Sequence, residues 1–186
     1  MPKLPFFGFG SLLDPESLAA TVPDAYDILP AYITGFRRDF SFWDSAGWTE
    51  SNLDLAGEAF CAIDARVSSG SPSKINGIIF QMGDTSYAKL LQREAGYELV
   101  KTKVYSFEDD ESLGECFLFS SNKNNGVYDF ESAAQKRYLE VCLRGASKYG
   151  EGFYQEFLNT TFIDGQCLSE VSALARICDK YSQVST

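Results

Sequence analysis

Two short segments carry residue types that could do chemistry. The first is Phe7-Gly8-Phe9-Gly10-Ser11-Leu12, in which two glycines follow an apolar run. A strand that feeds such a turn and then a helix aims several backbone N–H groups into one concavity. A nest of that kind binds a carboxylate or stabilises a developing oxyanion. Glycine at Gly8 and Gly10 lets a ligand approach the backbone closely. Alone the signal is weak: it lacks the third glycine of a dinucleotide fingerprint and the Gly-Lys-Ser/Thr of a phosphate loop. The second segment is Arg93-Glu94-Ala95-Gly96-Tyr97. Glu94 falls in the last turn of a predicted helix, where the macrodipole disfavours a carboxylate and a neighbouring Arg93 can offset it. A solvated ion pair at a helix end is the ordinary reading of such a doublet. Its place between a helix and a strand keeps a functional reading open, because sites gather at such junctions. Tyr97 and Tyr105 lie eight apart on one predicted strand and so share a face. They either pack at the edge of the core or line a pocket for a polar amino-acid substrate.

The absence of histidine removes whole classes of mechanism. Ser-His-Asp and Cys-His nucleophile systems are excluded, as are histidine-ligated zinc sites. Five cysteines form an odd, widely spaced set with no Cys-x-x-Cys pair, which fits reduced thiols in the cytoplasm rather than a disulfide framework or a metal site. No cofactor and no metal are expected. The net charge of −10, with only Arg37 and Arg38 adjacent among scattered cations, argues against nucleic acid and against an anionic membrane surface. The N-terminus has no apolar run long enough for a signal peptide or a membrane span.

These segments must be positioned by a chain of 186 residues, long enough to bury a core as one domain. Residues 3–9 read as a short buried strand. Asp14-Pro15-Glu16 reads as an N-cap with proline at the first helical position, opening a short helix through Ala20. Ile28–Trp43 reads as one or two strands, with Arg37-Arg38 on a solvated face, and a polar loop follows over 44–54. Strands are expected over 57–63 and 77–82, around a flexible serine loop at 68–73. Asp84 is expected to cap a helix that Gly96 ends in the left-handed conformation. Strands follow over 97–107 and 115–119, joined by an acidic turn at 108–111. Helices are then predicted over 130–148, 152–158 and 168–181, with Tyr138, Cys142, Phe153 and Phe157 at core spacing and a frayed tail from Tyr181. Strands first and helices later give an α+β domain, with 1–120 mainly sheet and 129–183 a helical cover.

Taken together, the two segments resemble the gamma-glutamylcyclotransferase superfamily, and within it the ChaC-type branch. The opening loop of that family stands here as Phe7-Gly8-Phe9-Gly10-Ser11-Leu12, and its catalytic glutamate context matches Arg93-Glu94-Ala95-Gly96-Tyr97. Gly35-Phe36-Arg37-Arg38-Asp39-Phe40 is similar to its Gly-Tyr/Phe-Arg strand, and Gly77-Ile78-Ile79-Phe80 to the strand before the catalytic helix. The similarity covers roughly the first 110 residues in the family's order. Phe9 stands where the family usually has tyrosine, and Leu90-Leu91-Gln92 replaces its usual Leu-Asp. The resemblance implies a mixed β-barrel surrounded by helices, with a pocket at one barrel mouth. It implies conversion of a γ-glutamyl amide to 5-oxoproline, with Glu94 as the acid/base and the loop around Gly10-Ser11-Leu12 holding the glutamyl portion. Glutathione and γ-glutamyl amino acids or amines are the implied substrates. A binding module without turnover, and a tailoring enzyme that removes a γ-glutamyl protecting group, are the alternatives.

Overall fold

The computed structural model describes residues 4–44, 59–68, 73–94, 96–121 and 125–182. The expected loop over 44–54 apart from Asp44, which ends a strand, lies outside the described residues, as do the centre of the serine loop, Ala95 and the last four residues. Along the chain run β1 (Phe6–Gly8), α1 (Pro15–Thr21), β2 (Tyr26–Thr34), β3 (Phe36–Asp44), β4 (Phe60–Val67) and β5 (Lys74–Gln81). They are followed by α2 (Asp84–Arg93), β6 (Glu98–Ser106), β7 (Ser112–Ser120), α3 (Ala133–Ser147) and α4 (Glu151–Thr160). The chain closes with β8 (Thr161–Ile163), β9 (Gln166–Cys167) and α5 (Ala175–Ser182).

Five strands close a barrel in the order β1-β5-β2-β6-β7. Antiparallel ladders form most of the wall, and β1 closes it by lying parallel to β7 at Phe6 and Phe117. A second sheet has the order β4-β3-β8-β9. The apolar run from Ile28 to Trp43 therefore serves two sheets. The break falls at Gly35, whose φ of 82° turns the chain from β2 into β3. Phe6, Phe7, Phe36, Phe40, Phe60 and Phe80 are all buried, so much of the aromatic-rich composition goes into the core.

Several boundaries differ from the sequence expectation for local reasons. Asp14 does cap α1, its carboxylate accepting the Ser17 N–H at 3.0 Å ahead of Pro15. Asp84 does not cap α2: Gly83 takes that place, its N–H donating to Asp24 at 3.1 Å, and Asp84 sits inside the first turn. Gly96 has φ 146°, outside the left-handed helical region, and follows a helix that Glu94 caps. The third helix starts at Ala133 because the Ser132 hydroxyl accepts the Gln135 N–H. The expected last helix is two 3₁₀ turns followed by α5. Within the supposed all-helical cover, β8 and β9 form a hairpin that extends the second sheet. Among the described residues no helix is long and apolar enough to cross a membrane.

Candidate functional site

At the end of β1 the chain leaves the sheet and enters a 3₁₀ turn over Ser11–Leu13. The N–H groups of Leu13 and Asp14 return to the carbonyls of Gly10 and Ser11, at 3.0 and 3.1 Å. The N–H groups of Gly10, Ser11 and Leu12 have no acceptor among the described residues. Three successive donors are thus left for a ligand, the pattern of an anion-binding nest. A Cβ at Gly10 would meet the Tyr138 hydroxyl and Ile63 at ordinary contact distances, so glycine leaves space there beside the pocket.

Three arginines hold this loop from outside. Arg38 donates to the Phe9 carbonyl at 3.1 Å. Arg93 reaches the Ser11 hydroxyl at 2.9 Å. Arg144 grips Asp14 through Nε at 2.7 Å and Nη2 at 2.9 Å, tying the loop's far end to α3. Close approach of α3 depends on Gly145, where a Cβ would lie 2.4 Å from the Asp14 nitrogen.

Glu94 caps α2, its N–H donating to Leu90 at 2.9 Å and its carbonyl accepting the Tyr97 N–H at 3.0 Å. Arg93 Nε stands 3.3 Å from the Glu94 carboxylate. The two side chains are only 12% and 16% exposed, so this is no solvated surface pair. Because Arg93 also binds Ser11, Thr21 and the Ser17 carbonyl, the end of α2 is fixed against the loop.

The loop from Phe7 to Leu12, Arg93, Glu94 and Tyr97 line one open pocket of about 550 Å³, counting its mouth. Its remaining walls are Ala62 and Ile63 of β4, Phe119 of β7 and Tyr138 of α3. The Tyr138 hydroxyl accepts the Ile63 N–H at 3.1 Å, and burial holds the phenol well above its ordinary value, so it stays a neutral donor. Tyr97 packs on Phe42 with ring centroids 4.3 Å apart.

Tyr105 is not part of this pocket. It stacks on Tyr32 at 5.3 Å, at the far end of β6. Eight strand residues span about 26 Å at ~3.3 Å each, so sharing a face with Tyr97 could not bring it to the same cavity. Arg38 was expected on a solvated face, and this too is corrected: it is fully buried. Phe36, Arg38 and Phe40 fall on one face and are buried, but Asp39 and Ser41 on the other face are buried as well, so alternation along β3 does not single Arg38 out. Tyr138 read only as core, and nothing local distinguishes a core tyrosine from one whose ring edge meets a pocket.

As chemistry, the pocket offers one carboxylate paired with an arginine, two tyrosines and three backbone donors that have no acceptor among the described residues. Among the described residues no three potential ligands of a metal converge.

No protein-family model matches the chain, and a search of curated proteins by sequence finds no match. Solved structures do match. A gamma-glutamyl cyclotransferase is 18% identical, with TM-score 0.60, over 95% of this chain and 98% of that one. An uncharacterised protein from Homo sapiens is 19% identical, with TM-score 0.59, over 94% and 97%. YkqA from Bacillus subtilis is 16% identical, with TM-score 0.58, over 83% of this chain and 52% of that chain. At such identities the likeness speaks to architecture, and it agrees with the closed barrel, the second sheet and the helical flank described above. The chain has the gamma-glutamyl cyclotransferase fold.

Proposed function

We propose that this protein is a gamma-glutamylcyclotransferase of the ChaC type, converting a γ-glutamyl amide to 5-oxoproline and releasing the amine. The observation that carries the reading is the meeting in one pocket of Glu94 with the N–H groups of Gly10, Ser11 and Leu12, which have no acceptor among the described residues. In the reaction the substrate's α-nitrogen attacks its own γ-carbonyl, a new C–N bond closes the five-membered ring, and the original amide C–N bond breaks. Two protons pass from the α-ammonium to the leaving nitrogen. Nucleophile and electrophile are already tethered, so holding the folded conformer supplies much of the rate. Glu94 is suited to take a proton from the α-ammonium and deliver it to the leaving amine. The loop N–H groups are suited to hold the glutamyl carboxylate or the developing oxyanion. Arg93 keeps Glu94 aimed at the loop. Tyr97 and Tyr138 form part of the wall around the bound substrate. No protein nucleophile is needed, which accords with a chain that has no histidine. Candidate substrates are glutathione and γ-glutamyl amino acids or amines.

The test is incubation with a panel of these compounds and detection of 5-oxoproline. Product from at least one member is expected. Saturable 5-oxoproline binding with no turnover of any member would replace the enzyme by a binding module, and neither binding nor turnover would end the reading.

A further inference from the structure

Arg38 is a buried cation whose hydrogen-bond partners among the described residues are all neutral. None of its surface is exposed. Nη1 donates to the Phe9 carbonyl at 3.1 Å and to the Asn76 carbonyl at 2.7 Å. Nη2 donates to the Asn76 amide oxygen at 2.8 Å, the Phe157 carbonyl at 3.3 Å and the Thr160 hydroxyl at 2.8 Å. Its guanidinium lies 4.0 Å from the Phe157 ring centroid. The adjacent carboxylate, Asp39, is engaged by Arg37 and Arg66 instead. Burial pushes the guanidinium down to about 9, so it remains charged at neutral pH. Keeping a cation in such a place is expensive, and packing alone would be served by an aliphatic side chain.

The reason lies in the one contact that leads to the pocket. A peptide unit is planar and trans, so its C=O and N–H point in opposite directions. Arg38 holds the Phe9 oxygen from the core side and does not itself line the pocket, whereas Gly10, whose N–H belongs to the same peptide unit, does. We infer that Arg38 is a positioning residue for the proposed cyclisation: by fixing the Phe9 carbonyl, it turns the Gly10 N–H toward the substrate. Its charge also strengthens that donor, because hydrogen bonding at a carbonyl polarises the N–H on the same peptide. The inference rests on the functional reading given above for its kinetics, but not for its ligand geometry.

The experiment compares wild type, Arg38→Lys and Thr160→Val. The last removes an Arg38 partner remote from the loop and serves as the stability control. Arg38→Lys keeps the charge but cannot span Asn76, Thr160 and Phe9 together. Its kcat is expected to fall about 10- to 100-fold with KM within a few-fold, as for a displaced oxyanion donor. Thr160→Val should lower Tm while leaving kcat and KM within about twofold, since only partners away from the loop are lost. A kcat for Arg38→Lys within twofold of wild type, or kcat losses that simply track Tm in both variants, overturns the proposal. Glycine-labelled protein titrated with 5-oxoproline gives a second reading that needs no turnover. The Gly10 amide signal should shift saturably in wild type and respond at least tenfold more weakly in Arg38→Lys. If no panel compound is turned over but this shift pattern holds, the cyclase reading fails and the role of Arg38 stands. If 5-oxoproline leaves wild-type Gly10 unmoved, the Arg38 role fails whatever the turnover. Should Arg38→Lys not fold, the wild-type Arg38 Nη protons decide: 5-oxoproline must perturb them through the shared peptide, and insensitivity overturns the proposal.

Discussion

Glu94 is the residue on which the proposed chemistry turns, and its setting makes the decisive substitution a mild one structurally. Glu94→Gln keeps shape and most hydrogen bonding but cannot carry a proton. Its kcat should drop by about 10²–10⁴ while the Tm stays near wild type. Near-normal turnover would reduce the Arg93–Glu94 pair to a helix-end ion pair. A different carboxylate contributes to the pH dependence of stability. Asp64 in β4 is fully buried, accepting the Ser121 N–H at 2.9 Å and hydroxyl at 2.6 Å. Burial raises its carboxyl above the ordinary 3.8, against the opposing pull of Ser121 and Arg66. The folded state therefore binds this proton more tightly than the unfolded chain. The associated stability is fully present below the unfolded value and is lost as pH rises through the raised one. Urea unfolding of wild type and Asp64→Asn across that interval should show wild type losing ground relative to the variant as pH increases. A difference independent of pH would mean that Asp64 titrates normally.

At the scale of elements, local sequence signals succeeded where one short motif decides the outcome. Asp14-Pro15 started α1 as written, because a cap and a fixed φ are properties of neighbouring residues. The β8–β9 hairpin was missed although its signal is present. Asp164-Gly165, with φ 49° and 86°, supplies the two positive angles of a tight hairpin between Thr161-Phe162-Ile163 and Gln166-Cys167. Its strands are very short, and pairing of Thr161 and Phe162 with β3 joins the hairpin to the second sheet. Besides Tyr138 and Arg144, helix α3 bears on the site through Gly145. Gly145→Ala would place a methyl 2.4 Å from the Asp14 nitrogen, and neither backbone can yield cheaply. Overpacking of this kind should destabilise the fold by about 1–3 kcal/mol and push α3 from the loop. Thermal melts and 5-oxoproline titration together check this, since unchanged affinity at lowered Tm would show that α3 does not set the loop's position.

On the scale of the whole molecule, the pocket exists because β1, the end of α2, β4, β7 and α3 converge on one place. The donor inventory there and elsewhere leads to an expectation about metals. With no histidine in the sequence and no converging ligand set among the described residues, excess EDTA should leave any cyclase activity unchanged. Activity lost to chelation and restored by a divalent cation would require carboxylate ligands assembled some other way. By itself the sequence determined the exclusion of histidine chemistry, the two chemically capable segments and the cap of α1, because each depends on residue type or on neighbours within a few positions. It could not determine that Arg38 would be buried behind Phe9, that Tyr138 would join the pocket or that Tyr105 would not. Those outcomes depend on which faces meet across the two sheets and α3. Only the tertiary structure sets the distances between residues far apart in the chain, and the free energy of burying Arg38 or Asp64 is decided by the partners found there.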